Sequence, residues 1–346
     1  MRVLLTGLPI PSHLLPVMLP ISKALQARGH EVAIATGRAV EESLDVDVLV
    51  LPDAMAPGQV GTPKPVWRPE ITGPLELPLF DKGMTLAFAN NLIDAATRWR
   101  PDVIVRETNE YGAIVAAEAL GLPHAMVDIA PMIGQLRRAE QELGLTSKAK
   151  LVAGLLPEEW YPDSPPTRRS YRVPGACRTT EEPFILASFG STTHWLLGKD
   201  SRLMEITVEA LGELDTKAVV ALGSDEMLAR WRGPRPDKVL LEGFVNQRKL
   251  LGACEVFLTH AGFGGVREAL EVGVPMVAVP LFADQPANAA RIEELGLGSK
   301  VDAAGLTPAK LAKAIENVPR HHDMRARIEG LPMLETFADD LTASLW

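Results

Sequence analysis

A glycine-rich segment in the last third of the chain combines residue types that can bind an anion. Residues 255–259, Glu-Val-Phe-Leu-Thr, have the pattern of a strand, residues 260–265 are His-Ala-Gly-Phe-Gly-Gly, and residues 266–272 predict a helix. Glycines let a ligand approach the backbone, and the unpaired N–H groups and the dipole of a helix N-terminus attract negative charge. The spacing therefore predicts a phosphate site. A glycine-rich turn alone would favour a simpler interpretation, a tight connection between strand and helix.

A histidine close to the N-terminus lies in a second loop that could do chemistry. His13 follows an apolar segment, residues 2–6, and precedes a helix with an apolar stripe. A histidine with an ordinary pKa of about 6.5 can accept a proton from a hydroxyl group at neutral pH. A single loop histidine is more often a structural residue, so the residue type alone leaves both interpretations open.

Repeated strand–helix–strand patterns position both loops. Strands at residues 2–6 and 31–36 flank a helix that should begin near Leu19, and strands at residues 184–189 and 217–222 flank another helix. Such alternation in both halves predicts an α/β protein with two parallel sheets. Because ligands of these sheets bind beyond the carboxyl ends of the strands, the two loops should line a cleft between the domains.

The chain divides by its pattern into two domains and a terminal segment. We predict a first domain at residues 1–174, a second at residues 175–330, and an amphipathic helix within residues 331–346. Residues 156–183 are rich in proline and have little apolar periodicity, which is typical of an interdomain connection.

Composition excludes several classes of protein. A length of 346 residues suits two domains, and a net charge of −9 argues against binding to a nucleic-acid backbone. Cys177 and Cys254 are the two cysteines, too few for a disulfide framework, so a reducing cytoplasm is expected. No stretch approaches the roughly 20 apolar residues of a membrane span.

The continuous block from Leu258 to Asn288, which includes Asp284-Gln285, resembles the donor-binding signature of glycosyltransferase family 1. These enzymes have the GT-B fold, two Rossmann-like domains that face a central cleft, and the second domain binds a nucleotide sugar. The resemblance implies that the terminal helix crosses back to the first domain. It also implies a set of donor-binding residues: Ser191, Phe244, Val245, His260, Gly262, Gly264, Gly265, Glu268, Asp284 and Gln285.

In the family pattern, His260 contacts the diphosphate, Glu268 holds ribose hydroxyls, and Asp284 and Gln285 hold sugar hydroxyls. Phe244 stands where an aromatic residue often lies near the base, although a place in the core would explain it equally well. Plant members have Asn and Ser at the positions of Gly264 and Gly265 in this chain. The loss of those side chains favours a bacterial type of enzyme.

The segment Pro11-Ser-His-Leu-Leu-Pro16 resembles the amino-terminal signature of the same family, in which the histidine is the general base. By this resemblance, His13 takes the proton of the acceptor, and a single displacement inverts the anomeric centre. The family often orients this histidine with an aspartate, and Glu107 occupies that position here, with Glu110 as the alternative. Ser12 replaces the usual glycine.

Other patterns predict no metal site. Asp45 and Asp47 have the spacing of a metal-binding DxD motif but lie far in sequence from the anion site, at the start of an apolar strand. His321 and His322 lack a third clustered ligand. Five apolar side chains are candidates for an acceptor pocket or for the core: Trp67, Phe80, Met84, Phe88 and Met132.

We therefore expect an inverting glycosyltransferase of antibiotic biosynthesis that uses a UDP- or dTDP-sugar as co-substrate, without another cofactor, and a small-molecule acceptor. The expected enzyme is cytoplasmic, binds neither nucleic acid nor a membrane, and could form a homodimer. The chain is short for the family near residues 134–149 and 175–183, where relatives carry acceptor loops. Two alternatives remain open: another GT-B enzyme, either a peptidoglycan lipid-intermediate transferase or a sugar-nucleotide epimerase, and a non-catalytic activator that binds sugar nucleotides.

Overall fold

The computed structural model of the chain divides into two compact units. The first consists of Met1–Thr62, Pro78–Pro174 and Gly330–Trp346, and the second of Pro63–Leu77 and Gly175–Glu329. The structure describes the following residues: 1–11, 14–38, 44–52, 67–75, 81–129, 133–162, 165–173, 175, 178–179, 182–190, 192–198, 200–320 and 323–345.

Thirteen described strands form two sheets. In chain order they are β1 (Arg2–Thr6), β2 (Glu31–Thr36), β3 (Asp47–Val50), β4 (Val103–Glu107), β5 (His124–Asp128), β6 (Val152–Gly154), β7 (Arg168–Ser170), β8 (Phe184–Ser188), β9 (Ala218–Ala221), β10 (Val239–Glu242), β11 (Cys254–Thr259), β12 (Met276–Ala278) and β13 (Gly298–Lys300).

The described helices connect these strands. They are α1 (Leu19–Ala27), α2 (Pro69–Thr72), α3 (Lys82–Trp99), α4 (Gly112–Leu120), α5 (Ile133–Leu143), α6 (Thr193–Leu196), α7 (Leu203–Glu213), α8 (Asp225–Arg230), α9 (Gln247–Leu251), α10 (Phe263–Val272), α11 (Gln285–Glu294), α12 (Pro308–Glu316), α13 (Met324–Glu329) and α14 (Thr336–Ser344), with a π-helical turn at Leu14–Met18 and a 3-10 turn at Glu158–Trp160.

Both sheets are parallel and doubly wound. The first has the order β3-β2-β1-β4-β5-β6-β7, and the second has the order β10-β9-β8-β11-β12-β13. All strand pairs are parallel, including β1 with β4 and β8 with β11. The chain leaves the middle of each sheet in opposite directions, so the loops after β1 and β4, and those after β8 and β11, diverge at a switch point where such sheets bind ligands. The prediction of two parallel-sheet α/β domains is confirmed.

Each unit is held by its own apolar core. In the second unit, α7 packs against α12 over one face of the sheet, where Leu203, Leu258 and Leu311 are buried. In the first unit, α3 packs against α4 above Leu4 and Ile104. Burying each leucine stabilises the fold by about 1.5–3 kcal/mol, so these faces determine which way every strand presents its side chains. The prediction that α1 begins at Leu19 is confirmed.

The expectation that residues 156–183 form an interdomain connection is wrong for their first part. Residues 168–170 form β7, which pairs with β6 and completes the first sheet. Trp160, Tyr161 and Tyr171 are at most 3% exposed. Three large aromatic side chains therefore anchor this segment in the core, and their burial outweighs the prolines that suggested a linker.

One segment from the first half of the chain belongs to the second unit. Trp67 is 3% exposed, packs edge-on against Phe282 with ring centroids 6.0 Å apart, and donates from Nε1 to the carbonyl of Gly73. Leu75 pairs in a bridge with Phe282. Trp67 is thus a core residue, as one of its two interpretations predicted, whereas Phe80 and Met132 lie outside the described residues.

The terminal helix α14 packs on the first unit against α1. Phe337 is fully buried and meets Tyr171 edge-on at 5.7 Å, and the Tyr171 hydroxyl donates to Asp340 Oδ2 over 2.7 Å. These contacts bind the end of the chain to the segment that carries β7.

Tyr171→Phe should destabilise the first unit, because it removes the hydroxyl that donates to the carboxylate of Asp340. The aromatic ring and its packing are retained in this variant. A hydrogen bond to a charged group contributes about 1.5–3 kcal/mol, and water can partly replace it at the half-exposed Asp340. We expect a loss of about 1–2 kcal/mol in the free energy of unfolding, measured by urea denaturation. Asp339→Asn is the control, since its ion pair with Arg28 is exposed and should contribute less than about 1 kcal/mol. Equal losses for both variants would contradict this.

Candidate functional site

The loops after β8 and β11 meet at the switch point of the second sheet. Gly190 follows β8 with φ +77°, and a Cβ there would lie 2.8 Å from Nε2 of His260, the first residue after β11. A Cβ on Gly262 would lie 2.6 Å from the same atom. Both contacts are too short for a side chain, so the imidazole of His260 fits between these two backbones because each lacks one.

Helix α10 begins directly beyond this ring. Its N-cap, Gly262, has φ −64° and ψ 140°, and no side chain caps the helix. The N–H groups at the start of a helix have no carbonyl partner within it, and here they lie in the turn Phe263-Gly264-Gly265. The helix runs for ten residues and ends at Gly273, which has φ +70°. Its N-terminus therefore offers backbone donors and a positive dipole end to an anion.

The histidine beside this helix is neutral. His260 is half-buried, and the loss of water around its ring lowers its pKa to about 4, while the backbone of Ser188 opposes the shift only in part. His260 therefore contributes a hydrogen-bonding imidazole, and the positive end of the site comes from the backbone.

A second loop at the same sheet edge is tied to the first by Asn288. Its Nδ2 donates to the carbonyl of Ala261 over 2.9 Å and to Asp284 Oδ2 over 2.7 Å. The neighbouring Gln285 is 2% exposed, and its Oε1 accepts from the N–H groups of Leu281 and Phe282. These bonds fix the backbone around Asp284 and bring it next to the loop that carries His260.

Two alanines in these loops have a left-handed backbone. Ala261 has φ +64° and Ala283 has φ +56°, conformations that non-glycine residues rarely adopt. Ala261 follows β11 by two residues, and its N–H donates to Thr259 Oγ1. Strained residues of this kind are typical of ligand-binding sites, where surrounding contacts hold them in place.

A third group of predicted residues lies along α10 and the loop after β10. Glu268 is half-buried, and Gln247 Nε2 donates to its Oε2 over 2.9 Å. Phe244 is 72% exposed, which rules out its interpretation as a core residue, and Val245 beside it is half-buried. A largely exposed aromatic ring such as that of Phe244 can stack on a planar ligand.

The first sheet has a buried polar cluster at the carboxyl end of β4. Glu107 is fully buried, and its Oε2 accepts from the N–H of Asn109. Glu110 is 1% exposed, accepts from Thr6 Oγ1 and from the N–H of Ala113, and has a pKa raised by burial to about 7. Arg106 Nη1 donates to the carbonyls of Glu107, Thr108 and Glu110. The cluster therefore holds two carboxyl groups at a rigid turn next to β1.

Several predicted residues lie outside the part of the chain that the structure describes: Ser12, His13, Ser191, His321 and His322. Sequence reasoning missed Asn288, Gln247 and Gly190, which fix the geometry around the predicted residues. Among the described residues, no three His, Cys, Asp or Glu side chains are grouped closely enough to hold a metal ion. None of the helices in the described ranges is long and apolar enough to span a membrane.

The lowered pKa of His260 predicts a pH dependence of stability. Between its unfolded pKa of about 6.5 and its folded pKa of about 4, the unfolded ring binds a proton that the folded ring does not, so stability falls as pH falls through this window. His260→Gln should lose less stability than the parent between these two pH values, measured by urea denaturation. The Hε1 resonance of the His260 imidazole should not titrate from about pH 8 to about pH 5. This resonance is assigned by its absence from the spectrum of His260→Gln. A midpoint near pH 6.5 would contradict the neutral ring.

Part of the chain matches a family model, and curated relatives align with most of its length. Residues 187–334 match the family model described as UDP-glucoronosyl and UDP-glucosyl transferase. Tylactone mycaminosyltransferase of Streptomyces fradiae is 27% identical over 416 aligned positions, which cover 100% of this chain and 91% of the relative. L-demethylnoviosyl transferase of Streptomyces niveus is 29% identical over 86% of this chain and 84% of its own length. Because the first alignment is longer than the chain, that relative carries internal residues without a counterpart here.

Solved structures agree in fold. Spinosyn rhamnosyltransferase SpnG complexed with thymidine diphosphate has a TM-score of 0.77 at 21% identity, over 99% of this chain and 100% of that one. Glycosyltransferase VinC in complex with dTDP has a TM-score of 0.70 at 20% identity, over 100% of this chain and 99% of that one. The second half of the chain therefore resembles the UDP-glucuronosyl and UDP-glucosyl transferases, and the two α/β units have the GT-B fold.

Proposed function

We propose that the protein transfers a sugar from a nucleoside diphosphate sugar to a hydroxyl group of a small apolar acceptor, with inversion at the anomeric carbon. The observation that carries this proposal is the uncapped N-terminus of α10 beside the neutral ring of His260, at the switch point of the second sheet. A diphosphate suits this place because backbone donors and the helix dipole neutralise its charge without a buried cation. Two solved relatives carry a thymidine nucleotide, which supports UDP or dTDP as the carrier.

The diphosphate binds at the turn Gly262–Gly265, with His260 donating one hydrogen bond to a phosphate oxygen. Glu268, held by Gln247, accepts hydrogen bonds from ribose hydroxyls. The exposed ring of Phe244 packs against the base, beside Val245. The hydroxyl of Ser191, in the loop after β8, is the further donor to the phosphates.

The sugar is held by the loop that follows β12. Asp284 accepts hydrogen bonds from sugar hydroxyls, and Asn288 orients its carboxylate. The Oε1 atom of Gln285 is engaged by two backbone N–H groups, so its amide nitrogen is the atom that donates to the sugar. Support for this assignment comes from the Asn288 bridge, which places the loop next to the proposed diphosphate turn.

His13 is the general base for the acceptor hydroxyl. It takes the proton as the acceptor oxygen forms a bond to the anomeric carbon, and the bond from that carbon to the diphosphate breaks on the opposite face. The electron pair of that bond leaves with the diphosphate, whose charge the N-terminus of α10 and His260 stabilise. Glu107 lies at the end of β4, beside β1 at the switch point of the first sheet, and is the positioning residue for His13. Glu110, with its raised pKa, is the alternative.

Transfer should be observed when the full chain is incubated with UDP-glucose or dTDP-glucose and a panel of phenolic and polyketide alcohols. The α-linked donor should give a β-linked product, identified by the coupling constant of the anomeric proton.

His13→Ala should lower kcat by about 10²–10⁴ while the dissociation constant of the nucleotide stays unchanged, because a general base contributes this much to the rate. Transfer by His13→Ala at the parent rate would contradict the role of His13. Nucleotide binding without transfer to any acceptor would favour a non-catalytic binding protein. Formation of an epimerised sugar nucleotide would favour a sugar-nucleotide epimerase.

Gly262→Ala should weaken nucleotide binding without unfolding the protein. Any residue can adopt the backbone of Gly262, but the new Cβ would lie 2.6 Å from His260 Nε2 and would displace the ring from the proposed diphosphate site. We expect the affinity for UDP and dTDP to fall about tenfold, measured by isothermal titration calorimetry.

Gly83→Ala is the control for this substitution, because Gly83 lies in α3 of the first unit. The nearest contact of its Cβ is Asp81 Oδ1 at 3.3 Å, and alanine favours the helix by about 0.5–1 kcal/mol over glycine. This variant should unfold at a slightly higher temperature than the parent. Its affinity for the nucleotide should stay within about threefold of the parent's, a change of less than about 1 kcal/mol in the free energy of binding. If Gly262→Ala bound as tightly as the control, His260 would not be at the diphosphate site.

A further inference from the structure

A cavity of 530 Å³ lies within the first unit, on one face of strands β4–β7. Arg106, His124 and Asp128 line it from β4 and β5, and Arg168 lines it from β7. These residues share a face because alternate side chains of a strand point the same way, and Arg106 pairs with Met126 across the two strands. The volume is in the range of about 300–1,000 Å³ that small-molecule sites occupy.

The guanidinium of Arg106 is the central cation of this cavity. It is 2% exposed, its Nη1 bonds three backbone carbonyls, and among the described residues its Nη2 bonds only the thioether of Met126, at 3.0 Å. The Nε atom has no hydrogen-bond partner among the described residues. One edge of the guanidinium, formed by Nε and Nη2, is therefore left without an oxygen acceptor, which is unusual for a buried arginine.

The side chains that line the cavity carry four cationic groups and two carboxylates, and the charges of Glu107 and Glu110, outside the lining, also act on Arg106. The carboxylate of Asp128 pairs with Arg168 at 2.6 Å, and Glu140 pairs with Lys148 at 3.0 Å. Arg137 on α5 also lines the cavity. Arg106 and Arg137 have no carboxylate within 4.0 Å among the residues that the structure describes. A ligand with negative charge would complete the pairing.

His124 adds a second buried polar group on the same wall. It is 2% exposed, and neither ring nitrogen meets strict hydrogen-bond geometry with a described residue, although the backbone of Ser147 lies close enough to favour the charged ring. Burial and the charge of Arg106 lower the pKa of His124 to about 4, so the ring is neutral and can donate one hydrogen bond.

We propose that this cavity binds a small molecule through its carboxylate, which pairs with the Nε–Nη2 edge of Arg106 and accepts a hydrogen bond from His124. A carboxylate fits better than a spherical anion because its two oxygens match the parallel donors of one guanidinium edge. Arg137 adds charge attraction from α5. This site belongs to the first unit and does not depend on the proposed donor chemistry in the second.

The test is calorimetric titration of the full chain with malonate, benzoate and inorganic phosphate at constant ionic strength. Malonate and benzoate should bind saturably, and phosphate at least about tenfold more weakly. Arg106→Lys keeps the charge but removes the paired donors, so carboxylate affinity should fall about tenfold, and His124→Phe should lower it several-fold. Arg137→Gln should weaken binding, whereas Arg138→Gln, its exposed neighbour on α5, should not. Affinity for UDP should be the same in all variants.

A measurement on the unmodified protein tests the proposal even if the variants do not fold. In an arginine Nε–H correlation spectrum, addition of malonate should shift one resonance downfield, the signature of a new charge-assisted bond. The proposal is overturned if no arginine Nε–H resonance moves, if carboxylates do not saturate, or if folded Arg106→Lys binds them as tightly as the parent. Tighter binding of phosphate than of carboxylates would also overturn it.

Discussion

The position of the His260 ring depends on two backbones that carry no side chain. Gly190 and Gly262 approach Nε2 so closely that a Cβ on either would displace it. The approach is a consequence of sheet topology, because β8 and β11 are neighbours whose following loops diverge at the switch point and border the same space. The same burial that positions the imidazole keeps it neutral, so backbone dipoles supply the positive end of the site.

Local strain accompanies this arrangement. Ala261 and Ala283 both have positive φ at the carboxyl edge of the second sheet, and such conformations cost about 1–3 kcal/mol each. Side-chain bonds hold them in place: Thr259 accepts from the N–H of Ala261, and Asn288 donates to its carbonyl. A loop fixed in this way does not have to order itself when a ligand binds, and the entropic cost of binding is correspondingly lower.

The first unit places charge where a sheet is usually apolar. Arg106, Glu107 and Glu110 are buried at one strand end, and burial lowers the pKa of Arg106 and raises that of Glu110. Transferring such groups from water to the protein interior is costly unless hydrogen bonds replace those made with water. The three carbonyls that accept from Arg106 replace them at one edge of its guanidinium. Perturbed pKa values of this kind are concentrated at functional sites.

The sequence by itself determined the parts of the protein that short-range patterns govern. Strand and helix periodicity predicted both parallel sheets, and three glycines at a helix start predicted the uncapped turn at Gly262–Gly265, because burial of one face and backbone freedom are properties of neighbouring residues. The resemblance of residues 258–288 to a known signature predicted the match of residues 187–334 to a family model. The roles of His13 and Ser191 rest on the sequence.

Only the tertiary structure decided what depends on residues distant in the chain. It placed Trp67 in the second unit and β7 in the first sheet, since burial of a large aromatic side chain depends on the surface it meets. It also brought Asn288 to Ala261 and left one edge of Arg106 without an acceptor. Hydrogen bonds between loops follow from sheet order, and the sequence of either loop alone contains no information about the other.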